Sequence, residues 1–151
     1  MPHIVFYAPC IPGNTGAAIR TSAATGFPLH LIEPLGFDLS ESRLKRAGLD
    51  YHDLATTTVH PNLEHLLDQF PNSRLFAFTT GANVVYTDVE YADDDLLMFG
   101  PEPDGLPDAV LAHPRITERL IIPMLPGRRS LNLSNCAAIV SYEAVRQLGL
   151  G

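Results

Sequence analysis

Apolar residues in this chain come in short runs, and the runs alternate between two periodicities. Ile4-Val5-Phe6-Tyr7 is a continuous apolar run ended by Pro9 and Pro12, the pattern of a strand buried on both faces. Asn14 can then cap a helix over residues 15–25, with Gly26 as its stop. Leu29 to Ile32 repeats the strand pattern. Ser40 can open a short basic helix through Ala47, closed by Gly48. Thr56 to Val59 is β-prone. From Asn62 to Phe70, residues Leu63, Leu66, Leu67 and Phe70 recur at helical spacing, which predicts an amphipathic helix. Further strands are predicted at Leu75–Thr79, Leu96–Phe99 and Leu120–Ile122, a short helix at Leu106–Ala112, and the longest helix from Asn132 to Leu148, with Gly149 near its end. Strands alternating with helices predict an α/β fold, a parallel sheet covered on both faces. No repeat or interdomain linker interrupts the pattern, so residues 1–151 are expected to form a single domain.

Composition narrows the function classes. The 46% hydrophobic and 18% charged content fits a folded globular chain. No apolar run approaches the ~20 residues that span a bilayer, and no signal-peptide pattern is visible. Cys10 and Cys136 form no CxxC pair, which fits free thiols in the cytoplasm. The six histidines are scattered, without HExxH or i, i+4 spacing, so no metal site is expected. A net charge of −7 excludes a broad basic surface for non-specific nucleic-acid binding. It leaves room for local patches, such as Arg43-Lys45-Arg46 and Arg128-Arg129. The run Asp93-Asp94-Asp95 reads as a solvated loop ahead of a strand.

Three segments carry the candidate chemistry. The first is Asn14-Thr15-Gly16 with Arg20 further along the same helix, where a guanidinium suits a phosphate or a developing oxyanion. The second is Phe99-Gly100-Pro101-Glu102, closed by Gly105-Leu106-Pro107, a loop stiffened by proline. The third runs from Ile122-Pro123-Met124 to Ser130-Leu131-Asn132-Leu133-Ser134-Asn135. Each joins a strand-like run to a turn and then a helix-like stretch, the usual construction of a ligand site at strand ends. On the residues alone, a capped helix with a surface arginine explains the first segment and a helix start explains the third about as well, while the proline-stiffened second segment reads as a binding loop rather than a plain turn. The chain has no GxGxxG after the first strand, no GxxxxGK[ST] and no GxSxG, so ordinary dinucleotide, P-loop and hydrolase-elbow sites are not supported.

Taken together, the segments IPGNTGAAIR, FGPEPDGLP and IPMLPGRRSLNLSN, in this order, resemble the SPOUT RNA methyltransferases. The similarity is greatest to the small TrmL-type tRNA 2′-O-methyltransferases and runs from about Ile4 to Leu148. Thr25-Gly26-Phe27, Ile32 to Phe37, Arg46 to Tyr51 and Tyr142-Glu143-Ala144 add to it. The resemblance implies a deep C-terminal trefoil knot, a topology that ordinary chain-threading rules exclude. It implies S-adenosylmethionine as cofactor, held by Phe78, Thr79, Thr80, Gly100, Pro101, Glu102, Ile122, Met124, Ser130, Leu131, Leu133 and Asn135. It also implies a homodimer in which Arg20 of one subunit reaches toward the cofactor of the other.

The implied substrate is the ribose 2′-hydroxyl of the wobble nucleotide in a tRNA anticodon stem-loop, a cytidine or a modified uridine. Arg20 is the expected catalytic residue. Asn14, Arg129 and Tyr142 are the expected substrate contacts. A guanidinium keeps its proton at any working pH, so Arg20 is expected to stabilise the alkoxide rather than act as a base. Two competing readings are a knotted methyltransferase acting on another RNA position and a non-catalytic module that binds S-adenosylmethionine or RNA.

Overall fold

The computed structural model describes residues 1–40 and 54–150. The basic helix expected after Ser40, with Arg43, Lys45 and Arg46, lies outside the described residues, as does the family-like stretch from Arg46 to Tyr51.

Seven strands form one sheet: β1 (His3–Tyr7), β2 (Leu29–Ile32), β3 (Thr57–His60), β4 (Leu75–Phe78), β5 (Val84–Val85), β6 (Leu96–Phe99) and β7 (Ile116–Ile121). Their order is β3-β2-β1-β6-β4-β7-β5, and every pairing is parallel. All strand C-termini therefore share one edge, and the loops after β1, β4, β6 and β7 converge there. Those loops carry the three segments singled out from sequence.

The helices among the described residues are α1 (Pro12–Thr25), α2 (Leu63–Gln69), α3 (Asp108–Leu111) and α4 (Leu133–Leu148). Strand alternation divides the core between the two faces. Ile4, Phe6, Leu29, Leu31, Phe76 and Phe99 pack with Ala18 and Ile19 of α1 and Ala137, Val140 and Ala144 of α4. Val5, Ile32, Leu75, Ala77, Leu96 and Met98 pack with Leu63, Leu66 and Leu67 of α2 and Val110 of α3. Helices on both faces explain why the central strands read as unbroken apolar runs.

β7 lies between β4 and β5, although both of those strands precede it in the chain. The connection from β4 to β5 must cross the end of β7.

Several boundaries differ from the sequence expectation. Asn14 does not cap α1. The helix starts at Pro12 with Ile11 at the cap position and no side-chain cap bond, because proline's fixed φ and missing N–H suit the first helical position. Asn14 falls in the first turn and directs its side chain elsewhere. β7 starts at Ile116, earlier than expected, because its backbone ladder with β4 overrides the polar stretch Thr117-Glu118-Arg119. The Asp93–Asp95 run is not uniformly solvated. Asp95 is 2% exposed and accepts two hydrogen bonds from Arg74, at 2.9 and 2.6 Å. The stops at Gly26 and Gly149, both at positive φ, stand as expected, whereas Asn132, expected as the first residue of the last helix, is the N-cap of α4.

Candidate functional site

Glu102 is the hub of the site. It sits just past β6, and its carboxylate reaches the start of α1. Oε1 accepts from the Cys10 backbone N–H at 3.0 Å. Oε2 accepts from the Ile11 N–H at 3.1 Å and from Asn14 Nδ2 at 2.8 Å. α1 has no capping side chain of its own and no acid in its first turn, so Glu102 supplies from a distant loop the negative charge that a helix N-terminus favours. Burial works to raise the Glu102 carboxyl, but the bonds from Asn14, Cys10 and Ile11 together hold it below the ordinary carboxylate range.

Asn14 continues the network. Its Oδ1 accepts from Asn132 Nδ2 at 2.8 Å. The Asn132 Oδ1 in turn caps α4, accepting from the N–H groups of Ser134 at 2.9 Å and Asn135 at 3.3 Å, and from Ser134 Oγ at 2.6 Å. One line of hydrogen bonds, Glu102–Asn14–Asn132, thus ties together the three segments at the strand ends. Both polar ends of the buried Asn14 amide are engaged by protein, so its geometry is that of a positioning residue.

The loop after β6 needs its glycines. A Cβ on Gly100 would lie 2.2 Å from the Leu106 nitrogen, and Gly105 holds a φ of +77°, a left-handed conformation costly for other residues. The Gly105 N–H closes the turn on the Pro101 carbonyl at 2.8 Å.

These loops enclose a cavity of about 550 Å³, within the range of small-molecule sites. Phe78, Phe99, Ile122, Met124, Leu131 and Leu133 form its apolar walls, while Thr79, Thr80, Asn14, Glu102, Ser130 and Asn132 supply polar groups. Phe78 and Phe99 stack with ring centres 4.5 Å apart, which fixes one wall. Cys136 also lines the cavity, and burial pushes its thiol up despite a bond at its own backbone.

The cavity brings together every expected cofactor residue except Asn135, which is exposed on α4. Of the expected substrate contacts, Asn14 and Arg129 line it, and Tyr142 does not. Tyr142 is 52% exposed on α4, near the exposed Ile139. Arg20 is exposed on α1 and is outside the lining of its own chain's cavity. Sequence reasoning missed Asn132 as a site residue, although its place at a predicted helix start was a usable signal. It also missed Ile121, which read only as a strand residue. Among the described residues, no group of three or more His, Cys, Asp or Glu is arranged to hold a metal ion, and no helix is long and apolar enough to cross a membrane.

The SpoU rRNA Methylase family model matches residues 1–142. The chain belongs to this family. An Escherichia coli protein named tRNA (cytidine(34)-2′-O)-methyltransferase is 49% identical over 149 residues, covering 99% of this chain and 95% of that one. A solved structure described as giving insight into 2′-OH methylation of C/U34 on tRNA superposes with a TM-score of 0.90 at 45% identity, covering 99% of this chain and 97% of that one. The SpoU methyltransferase AviRb from Streptomyces viridochromogenes, solved with the cofactor AdoMet, superposes with a TM-score of 0.85 at 25% identity. The match covers 100% of this chain and 61% of that one. The fold is therefore the knotted α/β fold of the SpoU methyltransferases.

Proposed function

We propose that this SpoU family chain is a tRNA 2′-O-methyltransferase that uses S-adenosylmethionine to methylate the ribose of the wobble nucleotide, a cytidine or a modified uridine. One observation carries the reading. The three segments that define the site converge on a single cavity, in a chain similar over nearly its whole length to a named tRNA (cytidine(34)-2′-O)-methyltransferase.

The cavity suits the cofactor. Its apolar walls match a purine, and its rim offers hydroxyl and amide groups to the sugar and amino-acid ends. Phe78, Thr79, Gly100, Pro101, Glu102, Ile122, Met124, Ser130, Leu131 and Leu133 are the residues that would hold it. Asn135 contributes from behind, through the helix start that Asn132 caps. S-adenosylmethionine, when bound, supplies an electrophilic methyl group on its sulfonium.

The chain's own residues supply position and charge. Glu102, Asn14 and Asn132 fix the three loops, so little reorganisation is needed when substrate arrives. Arg20 donates charge-assisted hydrogen bonds to the developing alkoxide, or orients it through a neighbouring phosphate. Its position outside its own cavity supports delivery across a dimer interface. The exposed faces of α1 and α4 lie side by side, with Ala17, Arg20 and Ala24 on one and Ile139 and Tyr142 on the other. Such a surface, small-residued and partly apolar, fits a second copy of the chain. Arg129 at the cavity rim and its neighbour Arg128 form a narrow basic approach for the anticodon loop, with Tyr142 available to stack on an unpaired base.

The test is transfer of labelled methyl from S-adenosylmethionine to tRNA that lacks the modification. Incorporation by wild type, lost in Arg20→Ala, supports the reading. Cofactor binding without incorporation into any RNA would favour the binding-module alternative.

A further inference from the structure

Four of the histidines that lie scattered in sequence meet in one line on the α2 face of the sheet, away from the cavity. His3 Nδ1 is 2.9 Å from His30 Nε2. His30 Nδ1 is 2.8 Å from His60 Nε2. His60 Nδ1 is 2.9 Å from His65 Nδ1. The far end of His3, its Nε2, is 3.3 Å from Asp94 Oδ1. The line crosses β1, β2 and β3 and ends on α2. His3, His30 and His60 are 9%, 6% and 0% exposed, whereas His65 is exposed and the Asp94 side chain is 65% exposed. Phe70 packs edge-on against His3 and His30, with ring centres at 4.7 and 5.6 Å, and shields the buried part from water. We infer that these four imidazoles and Asp94 form a directional hydrogen-bonded chain that stores one proton, linking an exposed ring on α2 to a carboxylate beside the N-terminus.

The direction follows from counting protons. A neutral imidazole has one N–H and one bare nitrogen, and each of the three N···N contacts needs one hydrogen. Only two arrangements of neutral rings satisfy all three, one donating toward Asp94 and one away from it. Donation away from Asp94 leaves a bare His3 Nε2 facing a carboxylate, two acceptors in contact. Donation toward Asp94 satisfies both. His3, His30 and His60 then carry hydrogen on Nε2, and His65 carries it on Nδ1. Asp94 is held for this role. It adopts a left-handed φ of 63°, and its N–H bonds the Met1 carbonyl at 3.0 Å.

The capacity follows from the same count. The bare Nε2 of the exposed His65 can accept one proton with every contact intact. The three shared hydrogens can then shift along the line, so that the cation resides at any ring, including His3 beside Asp94. A second proton would put hydrogens on both nitrogens of one contact and break it. Broken contacts would loosen the β3–α2 edge from β1 and β2, which makes the chain an acid-sensitive latch.

The charged groups facing it agree. Asp94 and the amino terminus, itself paired with Asp93 at 2.7 Å, flank His3. Among the described residues, the titratable groups in contact with the His30 and His60 rings are other imidazoles, and Glu64 of α2 is turned to His113 at 2.6 Å. Arg115 lies behind Phe70, bonded to the Phe70 carbonyl at 2.8 Å. Burial, followed by the neighbouring rings His3 and His60, pushes His30 down to about 3. Burial also lowers His3, against the opposing pull of Asp94, and His60, together with the nearby His65.

Long-range ¹⁵N–¹H NMR of the imidazoles in the full chain tests this directly. At pH 8 the expected result is Nε2–H on His3, His30 and His60 and Nδ1–H on His65. On titration to pH 5 the four rings should together take up one proton at a shared midpoint. Hydrogen on Nδ1 of His30, or four independent titrations taking up nearly four protons, as ordinary imidazoles of pKa ~6.5 would, overturns the inference. Asp94→Ala removes the terminal acceptor, so both tautomers of His3 and His30 should appear. Unchanged tautomers would show that Asp94 does not set the direction.

Discussion

Asn132 and Asn14 are joined by a 2.8 Å hydrogen bond across 118 residues of sequence, and that bond fastens the C-terminal helix to the first turn of α1 at the rim of the cavity. Its two ends do different work. The Asn132 oxygen caps α4, while the nitrogen orients Asn14, whose own nitrogen holds Glu102.

Two substitutions separate these functions. Asn132→Ala loses the cap, at about 1 kcal/mol, which in a domain of this size lowers Tm by ~2–4 °C. Asn132→Asp keeps the cap but cannot donate, so either orientation of Asn14 leaves two acceptors in contact. Calorimetric titration with S-adenosylmethionine should show ~10-fold weaker binding for Asn132→Asp, the loss of about one buried hydrogen bond. Unchanged affinity would mean that the network does not shape the cavity.

Glu102 makes stability depend on acid pH with a defined sign. Its carboxyl is held below the ordinary range, where burial's upward push is outweighed by the bonds from Asn14, Cys10 and Ile11. The unfolded chain therefore binds a proton more readily than the folded one. The stabilisation is complete above ~4.3, the ordinary value for Glu, and is lost as pH falls through the lower folded value. Thermal melts of wild type and Glu102→Gln should differ at pH 7 and converge as the pH drops below ~4. A constant gap across that range would contradict the assignment.

Arg20 sits outside its own cavity and so should act on the reaction without holding the cofactor. Arg20→Ala is expected to lower methyl transfer by at least ~10²–10³, the cost of losing one oxyanion donor, while leaving S-adenosylmethionine affinity unchanged. Mixing Arg20→Ala with a cavity-blocked variant should restore part of the activity through mixed dimers. Equal loss of binding and turnover would remove Arg20 from this role.

The buried imidazoles act on stability in the opposite way to a paired histidine. His3, His30 and His60 are all lowered, chiefly by burial, so below the ordinary histidine range the folded chain holds fewer protons on these rings than the unfolded chain does. Stability is complete above ~6.5 and declines as pH falls below it. Denaturant midpoints measured from pH 8 to pH 5 should fall steadily from about 6.5 downward, well above the range where Glu102 acts. A flat profile there would show that folding does not suppress proton uptake by these rings.

Much of this was legible in the sequence, for identifiable reasons. The strands at Ile4, Leu29, Leu75 and Leu96 are buried on both faces, so their apolar runs are unbroken and easy to read. Gly26 and Gly149 mark helix ends by their own backbone chemistry. The cavity walls could be named because the three segments occur together in the family's order. What was not legible depends on contacts between distant residues. Val84–Val85 is too short to show a period and is a strand only because β7 pairs with it. Asn14 looked like a cap because nothing local shows that Glu102, from another loop, already bonds the backbone at the start of α1. Asp95 looked solvated because its partner Arg74 is 21 residues away. The histidines looked unrelated because their alignment depends on the register of three parallel strands, with His30 opposite Val5 and His60 opposite Ile32.

The most direct test of the central claim is nuclease-fragment mass spectrometry of tRNA incubated with the protein and S-adenosylmethionine, starting from tRNA that lacks the modification. The expected product is a new 2′-O-methyl group on the pyrimidine at the wobble position, absent with Arg20→Ala. A methyl group at another RNA position, or none while the cofactor still binds, would contradict it.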